Sequence, residues 1–491
     1  MNLSKKQEYL IIAGLLVLIF PFFALLFYVH PQGDDFFFAA KVNEMGVLAF
    51  VKDMYFHWSG RYASMFIGAF DPVRFESLFL LRISLAALLI INFISFFLLF
   101  KSLINQNIPF RKLFLFSLFF YVIIINSIPD IFEYLFWFPS AVSYQLGISL
   151  LNLFLANYFF YNAQRLSTTN YIITNSFLAF FIVGTLELFI IPLVIVGVLM
   201  LKTNFKKLDR RLPHLIVFSF IITFTLLFFL APGNYVRLEA SNPADFYSTL
   251  QISSKSLIFI TGYLFQNITF ILGSLLFMAF VNDVFLKKEM TNIHIFYKNP
   301  LIVLLVSILF ILLVLTPSVM ATSSLPAGRI IDILVIITTL LWIYNIANFV
   351  SYYKSKTRYS LSNFQIRIVI ALVFMFMFSG IYITNPYDFA NNKKGSLLLS
   401  GNVLNAYYTL FFESKEYDNE MTLRYKQFEK ANRLGKKSII IKPLKHHPKI
   451  LTFANINEKE SSKTWMFKWE ANYFNIDSVI IEDRNIDIQK N

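Results

Sequence analysis

Residues 171–201 read YIITNSFLAFFIVGTLELFIIPLVIVGVLML, interrupted by a single charge, Glu187. As one helix this stretch would be about 46 Å long, against a bilayer core of about 30 Å. Splitting it at Gly184-Thr185-Leu186-Glu187 gives two spans that meet in a turn. That choice sets the side on which every later loop emerges. Other apolar runs precede it near Tyr9–Val29, Leu78–Ile104, Leu113–Ile128 and Val142–Tyr161. More follow near Leu215–Leu230, Leu257–Val281, Leu301–Leu315, Ile330–Phe349 and Ile366–Thr384. The expectation is an all-α polytopic membrane protein of about eleven spans. The first run follows Lys5 and Lys6 and lacks a small-residue cleavage site, so it reads as an uncleaved anchor.

Composition points the same way. Of 491 residues 57% are hydrophobic and only 15% charged, with 59 phenylalanines. Soluble chains average about 25% charged, and disorder requires low hydrophobicity, so both classes are excluded. The absence of cysteine excludes disulfides, thiolate-bound metals and a cysteine nucleophile. There is no phosphate-binding glycine loop, GxSxG elbow or HExxH motif, which leaves ATP-driven pumping and zinc hydrolysis unsupported.

The net charge of +14 is an orientation signal. With the split and a cytoplasmic N-terminus, the inside segments gather Lys5, Lys6, Arg111, Lys112, the Lys202–Arg211 cluster, Lys287, Lys288, Lys356 and Arg358. Merging residues 171–201 into one helix would put Lys202–Arg211 outside. The basic excess therefore implies a lipid bilayer and no nucleic acid. Eleven acidic residues fall outside, among them Asp34, Asp35, Glu133 and Glu187; a working outer face would explain this, and so would longer outer loops that need polar residues.

The longest loop between spans covers residues 30–77. Apolar residues at helical spacing over Lys41–Trp58, and again over Tyr62–Phe70, predict interfacial helices. The loop opens Gly33-Asp34-Asp35-Phe36. Either Asp34 caps a helix starting at Asp35, or the pair supplies a base whose pKa is raised by like charge and desolvation. Spacing does not choose between Asp34 and Asp35. A divalent cation held by both is a further option; no other cofactor is expected.

Further candidates lie on the same face. Trp58 and Tyr62 flank Arg61, whose planar fork matches phosphate oxygens; an aromatic belt with a snorkelling arginine reads equally well. Trp137 and Tyr144 bracket the start of the fourth span. Glu187 is either functional or a partner for Arg61 or Arg82. Asn234 and Arg237 follow a Pro-Gly turn. Arg329 either pairs with Asp332 or faces a lipid phosphate. Arg61, Arg237 and Arg329 near one carboxylate pair would form an anion site beside a base.

From about Asn391 the chain turns polar. Helices over Asn419–Arg433 and Thr464–Phe474, and strands at Ser438–Ile441 and Ser478–Ile481, predict a small α/β module. The division is thus 1–389, membrane, and 390–491, an extracytoplasmic α/β domain.

The outer loop opening Gly33-Asp34-Asp35-Phe36 and closing Trp58-Ser59-Gly60-Arg61-Tyr62 resembles bacterial GT-C-type membrane glycosyltransferases, most closely the O-antigen glucosyltransferase-like branch. Trp137–Tyr144, Ala231–Arg237, Pro326–Arg329 and Trp469–Phe474 extend the likeness over most of the chain. The resemblance implies a GT-C-like fold in the cytoplasmic (inner) membrane. It implies a polyprenyl-phosphate sugar donor, a cell-envelope glycan or lipid-linked acceptor, inversion at the anomeric carbon, and Asp34 or Asp35 as base. The setting of Glu187 departs from the family's His-Glu-Asn pattern. A transporter or flippase would predict mid-span charges and repeated halves. A non-catalytic assembly partner would predict a substitution-tolerant loop.

Overall fold

A computed structural model describes residues 4–103, 108–203, 208–240, 243–284, 299–354, 363–379, 381–382, 398–399, 401–453 and 465–481. The boundary expected at 389/390, and Lys287, Lys288, Lys298, Lys356 and Arg358, lie outside the described residues.

Helix α1 (Lys5–Leu25) leads into three short helices, α2 (Asp34–Met45), α3 (Val47–His57) and α4 (Tyr62–Gly68). There follow α5 (Leu78–Leu103), α6 (Phe110–Ser127), α7 (Phe138–Asn162), α8 (Thr168–Thr185), α9 (Ile190–Thr203) and α10 (Leu208–Phe229). Next come α11 (Pro232–Ala240), α12 (Phe246–Gln266), α13 (Ile268–Val284), α14 (Pro300–Thr322), α15 (Gly328–Lys354) and α16 (Asn363–Ser379). Seven segments among the described residues are long and apolar enough to cross a membrane: Lys5–Tyr28, α5, α6, α7, Arg211–Phe229, α14 and Gly328–Tyr353. The protein is a helical, multi-pass membrane protein.

The break in residues 171–201 lies where the lone charge falls. α8 ends at Thr185, a single 3-10 turn spans Glu187–Phe189, and α9 begins at Ile190. Tyr171, near the start of α8, places its hydroxyl 3.7 Å from Met200 Sδ near the end of α9 and 2.7 Å from His214 Nδ1 near the start of α10. The two helices therefore run antiparallel.

Two expected helices are each broken in two. Lys41–Trp58 is interrupted at Gly46, whose φ of +83° ends α2 and starts α3. The span Leu257–Val281 is broken at Asn267. The Asn267 side chain accepts from Phe270 N (3.3 Å) and donates to Ser127 Oγ (3.2 Å), so it caps α13 instead of continuing α12.

After a short β1 (Ile381–Tyr382) and β2 (Leu398–Leu399) pair, α17 (Asn402–Tyr408) and the first half of α18 (Ser414–Arg433) pack into the main core through Val403, Ala406, Tyr417 and Met421. Helix α18 stops where Gly435 adopts φ +63°. Strands β3 (Ser438–Ile441) and β4 (Ser478–Ile481) then pair in parallel, Ser438 opposite Ser478, with α19 (Trp465–Tyr473) between them in sequence. Phe428, Ile441, Phe467 and Val479 form their own small core.

This module sits directly on the loop of residues 30–77. Asp418 meets His30 Nε2 at 2.9 Å and Arg82 at 3.2 Å. Gln32 Nε2 donates to Leu451 O (2.8 Å), and the Tyr473 hydroxyl donates to Val73 O (2.9 Å). Asn402 Nδ2 donates to Ile125 O and Ile128 O, both at 2.7 Å. The module and α2–α4 share one face of the helical bundle.

Candidate functional site

Gly33, at φ +57°, turns the chain into α2, a conformation that favours glycine. The helix starts at Asp34 itself and no side chain caps it, so Asp34 is not the cap that one reading proposed. The two adjacent carboxylates then diverge. Asp35 is 2% exposed, and its Oδ2 accepts from Gln32 N at 2.7 Å, closing the entry turn. Its Oδ1 and Asp71 Oδ2 are both buried without a donor, and the two side chains lie within hydrogen-bonding reach of each other. Burial pushes both carboxyls up, and for Asp35 the Asp71 charge adds to this. One shared proton would satisfy both orphan oxygens. Asp71 also accepts from Val73 N (2.9 Å). Asp35 thus ties the two ends of the loop together.

Asp34 is only half-buried, within electrostatic reach of Arg329 and Glu133. Burial raises its pKa to about 6, against the pull of Arg329. A divalent cation bound by Asp34 and Asp35 together would require Asp35 to give up Gln32 or Asp71. No group of three or more His, Asp or Glu side chains placed to hold a metal occurs among the described residues.

The three expected arginines converge on Tyr144, each in a different state. Arg61 grips Glu187 in two parallel bonds of 2.8 Å (Nε) and 2.6 Å (Nη2). Burial works to raise the Glu187 pKa, but Arg61 prevails and holds it at about 2. This pair is therefore charge-neutral overall. Arg237 lies over the Trp58 ring at 5.7 Å, and no carboxylate comes within 4.0 Å of it among the described residues. The like charge of Arg61, then burial, lowers its pKa. Arg329 lies 5.4 Å from the centre of Trp137 and 5.7 Å from that of Tyr144. Its Nε has no hydrogen-bond partner and is 3.9 Å from Glu133 Oε2, too far for a hydrogen bond. The alternative pairing with Asp332 is not what forms; Asp332 Oδ1 accepts from Asp130 N at 2.9 Å.

Local backbone explains the convergence. Two π-helical turns, Phe132–Phe136 and Ala141–Gln145, flank Trp137 and widen the chain there; such bulges recur at functional sites. They present Glu133 and Tyr144 to Arg329. Trp137 is anchored by its Nε1, which donates to Gln32 O at 3.0 Å.

Two expected binding residues serve the scaffold. Asn234 accepts from Gly60 N (2.8 Å) and donates to Phe228 O (2.7 Å), pinning the turn before Arg61 to α11. Tyr62 is buried and donates to Phe180 O at 3.0 Å. Glu133 joins the cluster without having been singled out. Burial raises its pKa to about 7, despite Arg329. Its spacing of three from Asp130 and four from Trp137 was the available signal.

The site thus holds one neutralised arginine, two arginines able to receive an anion, and two carboxyls that titrate near neutrality. Comparison with protein-family models, curated proteins and solved structures finds no match, so the reading of this site rests on its geometry.

Proposed function

We propose that the chain is an inverting glycosyltransferase that moves a sugar from a polyprenyl-phosphate donor to a cell-envelope glycan or lipid-linked acceptor. On this reading it spans the cytoplasmic membrane about eleven times, with the cluster and the C-terminal α/β module outside. Ionised Asp34 takes the proton of the acceptor hydroxyl. The acceptor oxygen bonds to the anomeric carbon as the bond from that carbon to the phosphate oxygen breaks, and the electron pair leaves with the phosphate. Arg237 and Arg329 receive its growing charge. Arg61, already neutralised, holds Tyr144 and the loop in place.

The observation that carries this reading is Asp34, its carboxyl raised by burial to about 6, within electrostatic reach of Arg329 in a cluster where Arg61 alone of the three arginines has a tight carboxylate partner. A base beside an anion site is what phosphate-leaving group transfer requires. The test is the sugar composition of the envelope in a deletion strain complemented with wild type, Asp34→Asn or Arg237→Ala. Loss of one sugar, restored by wild type alone, supports the transferase. Full restoration by Asp34→Asn overturns it and leaves a transport or scaffold role.

A further inference from the structure

The C-terminal module does more than cover the loop. Between α19 and the end of α18 on one side, and α2 with the start of α5 on the other, lies a cleft of about 1210 Å³. That exceeds the roughly 300–1,000 Å³ of a typical small-molecule site. The proposed transfer reaction does not use it. Phe36, on its wall, is two residues beyond Asp34 and so on the opposite side of α2.

Its lining has a specific chemistry. Trp469, Tyr473 and Tyr425 supply aromatic surface, and Asn43, Asn472 and Asn475 supply planar amides. Asn43 and Asn472, one on each wall, are exposed; Asn43 Oδ1 accepts from Arg74 Nε at 3.1 Å, which leaves its NH2 to donate. The Tyr425 hydroxyl is buried without a hydrogen-bond partner. The charges balance: Lys41, Lys468 and Arg433 face Glu44, Glu76 and Glu429. Four of these are already paired, Lys41 with Glu44 (3.7 Å) and Arg433 with Glu429 (3.4 Å). A phosphorylated or nucleic-acid ligand would need a basic excess, which is lacking. A lipid tail would need a continuous apolar wall, whereas here Pro31, Ala40, Val73 and Leu78 are interspersed with amides and charged side chains. Aromatic faces stack on the C–H faces of sugar rings while amides exchange hydrogen bonds with hydroxyls.

We infer that this cleft binds a neutral oligosaccharide several residues long, holding a glycan against the module apart from the catalytic cluster. The inference does not depend on Asp34 being a base, and a binding readout separates it from the transferase reading.

The test uses the full-length protein purified in detergent and a panel of neutral gluco-, galacto- and manno-oligosaccharides, with sugar phosphates as the charged comparison. Saturation-transfer NMR and tryptophan fluorescence report binding. The expected result is saturable binding of at least one neutral oligomer at millimolar or lower concentration. Trp469→Ala should weaken it about tenfold, while Trp469→Phe retains most of it. Asn43→Ala and Asn472→Ala, on exposed positions of opposite walls, should each weaken it with unchanged melting temperature. No binding by any neutral oligomer, tighter binding of the sugar phosphates, or affinity unchanged by both Asn variants would each overturn the assignment.

Discussion

Asp34→Asn should inactivate the protein and stabilise it at the same time. Folding lifts this carboxyl from 3.8 to about 6, chiefly by burial. An acid whose folded pKa is raised favours folding through its protonated form. That contribution is complete below the unfolded value and is lost as pH climbs through about 6. Moving a carboxyl from 3.8 to about 6 corresponds to about 3 kcal/mol of opposition to folding once it is ionised. Asp34 is half-buried, so solvent screening reduces this, and about 1–3 kcal/mol is the working range. Asparagine keeps the shape and carries no charge. The variant should therefore melt higher than wild type at about pH 7, and the two should coincide at about pH 4. Thermal unfolding of both proteins in the same detergent, across that range, measures the difference without knowledge of the substrate. In parallel, transfer should fall about 10²–10⁴-fold, and wild-type transfer should rise through about pH 6. A variant that melts below wild type at neutral pH would refute the reasoning, because the carboxylate would then be a stabilising ion-pair partner and not a strained functional group.

Glu187→Gln should destabilise by about 3–5 kcal/mol, since it leaves the Arg61 guanidinium buried without its counter-charge; denaturant melts check this, and the Arg61→Met/Glu187→Leu double variant should recover most of the loss. Gly60→Ala should abolish folding, because a Cβ there would sit 2.4 Å from the Phe228 carbonyl oxygen, and loss of the monodisperse peak in size-exclusion chromatography would report it. Asp418→Asn should loosen the C-terminal module, because Asp418 accepts from both His30 and Arg82; limited proteolysis after residue 401 should speed up while the helical circular dichroism stays constant.

The helical architecture was legible because bilayer thickness converts hydropathy directly into span length. Glu187 marked the α8–α9 turn for the same reason: the lone charge in a largely apolar stretch of 31 residues is costly inside the hydrocarbon. The bounds of β3, β4 and α19 were legible to within a residue or two, as strong strand and stop signals allow. What the sequence withheld was side-chain direction. Asp34 and Asp35 are neighbours in the chain, and about 100° of helix rotation separates a carboxyl facing Arg329 from one buried against Asp71. The Asp71 partner is 36 positions away and carries no local mark. Glu133 was half-hidden: its spacing from Asp130 and Trp137 was visible, but nothing local marks the π-helical turn that brings it to Arg329. The breaks at Gly46 and Asn267 were missed because apolar periodicity continues through both, although the glycine and the asparagine were visible.

The arrangement also links the two halves of the proposed reaction. Arg329 restrains Asp34: its positive charge lowers a pKa that burial raises. It does the same to Glu133, where burial again comes first. A donor phosphate settling on Arg237 and Arg329 would cancel that restraint, and the Asp34 pKa would climb above about 6. The carboxylate is then a stronger base when the donor is present than when the site is empty. When the phosphate departs with its extra charge, the pull of Arg329 is cancelled further, and Asp34 holds the acquired proton more firmly. Glu187 compensates Arg61, whose charge otherwise bears on Arg237 and Arg329. On the proposed reading the bidentate pair thus leaves Arg237 and Arg329 as the two guanidinium groups that meet the phosphate charge.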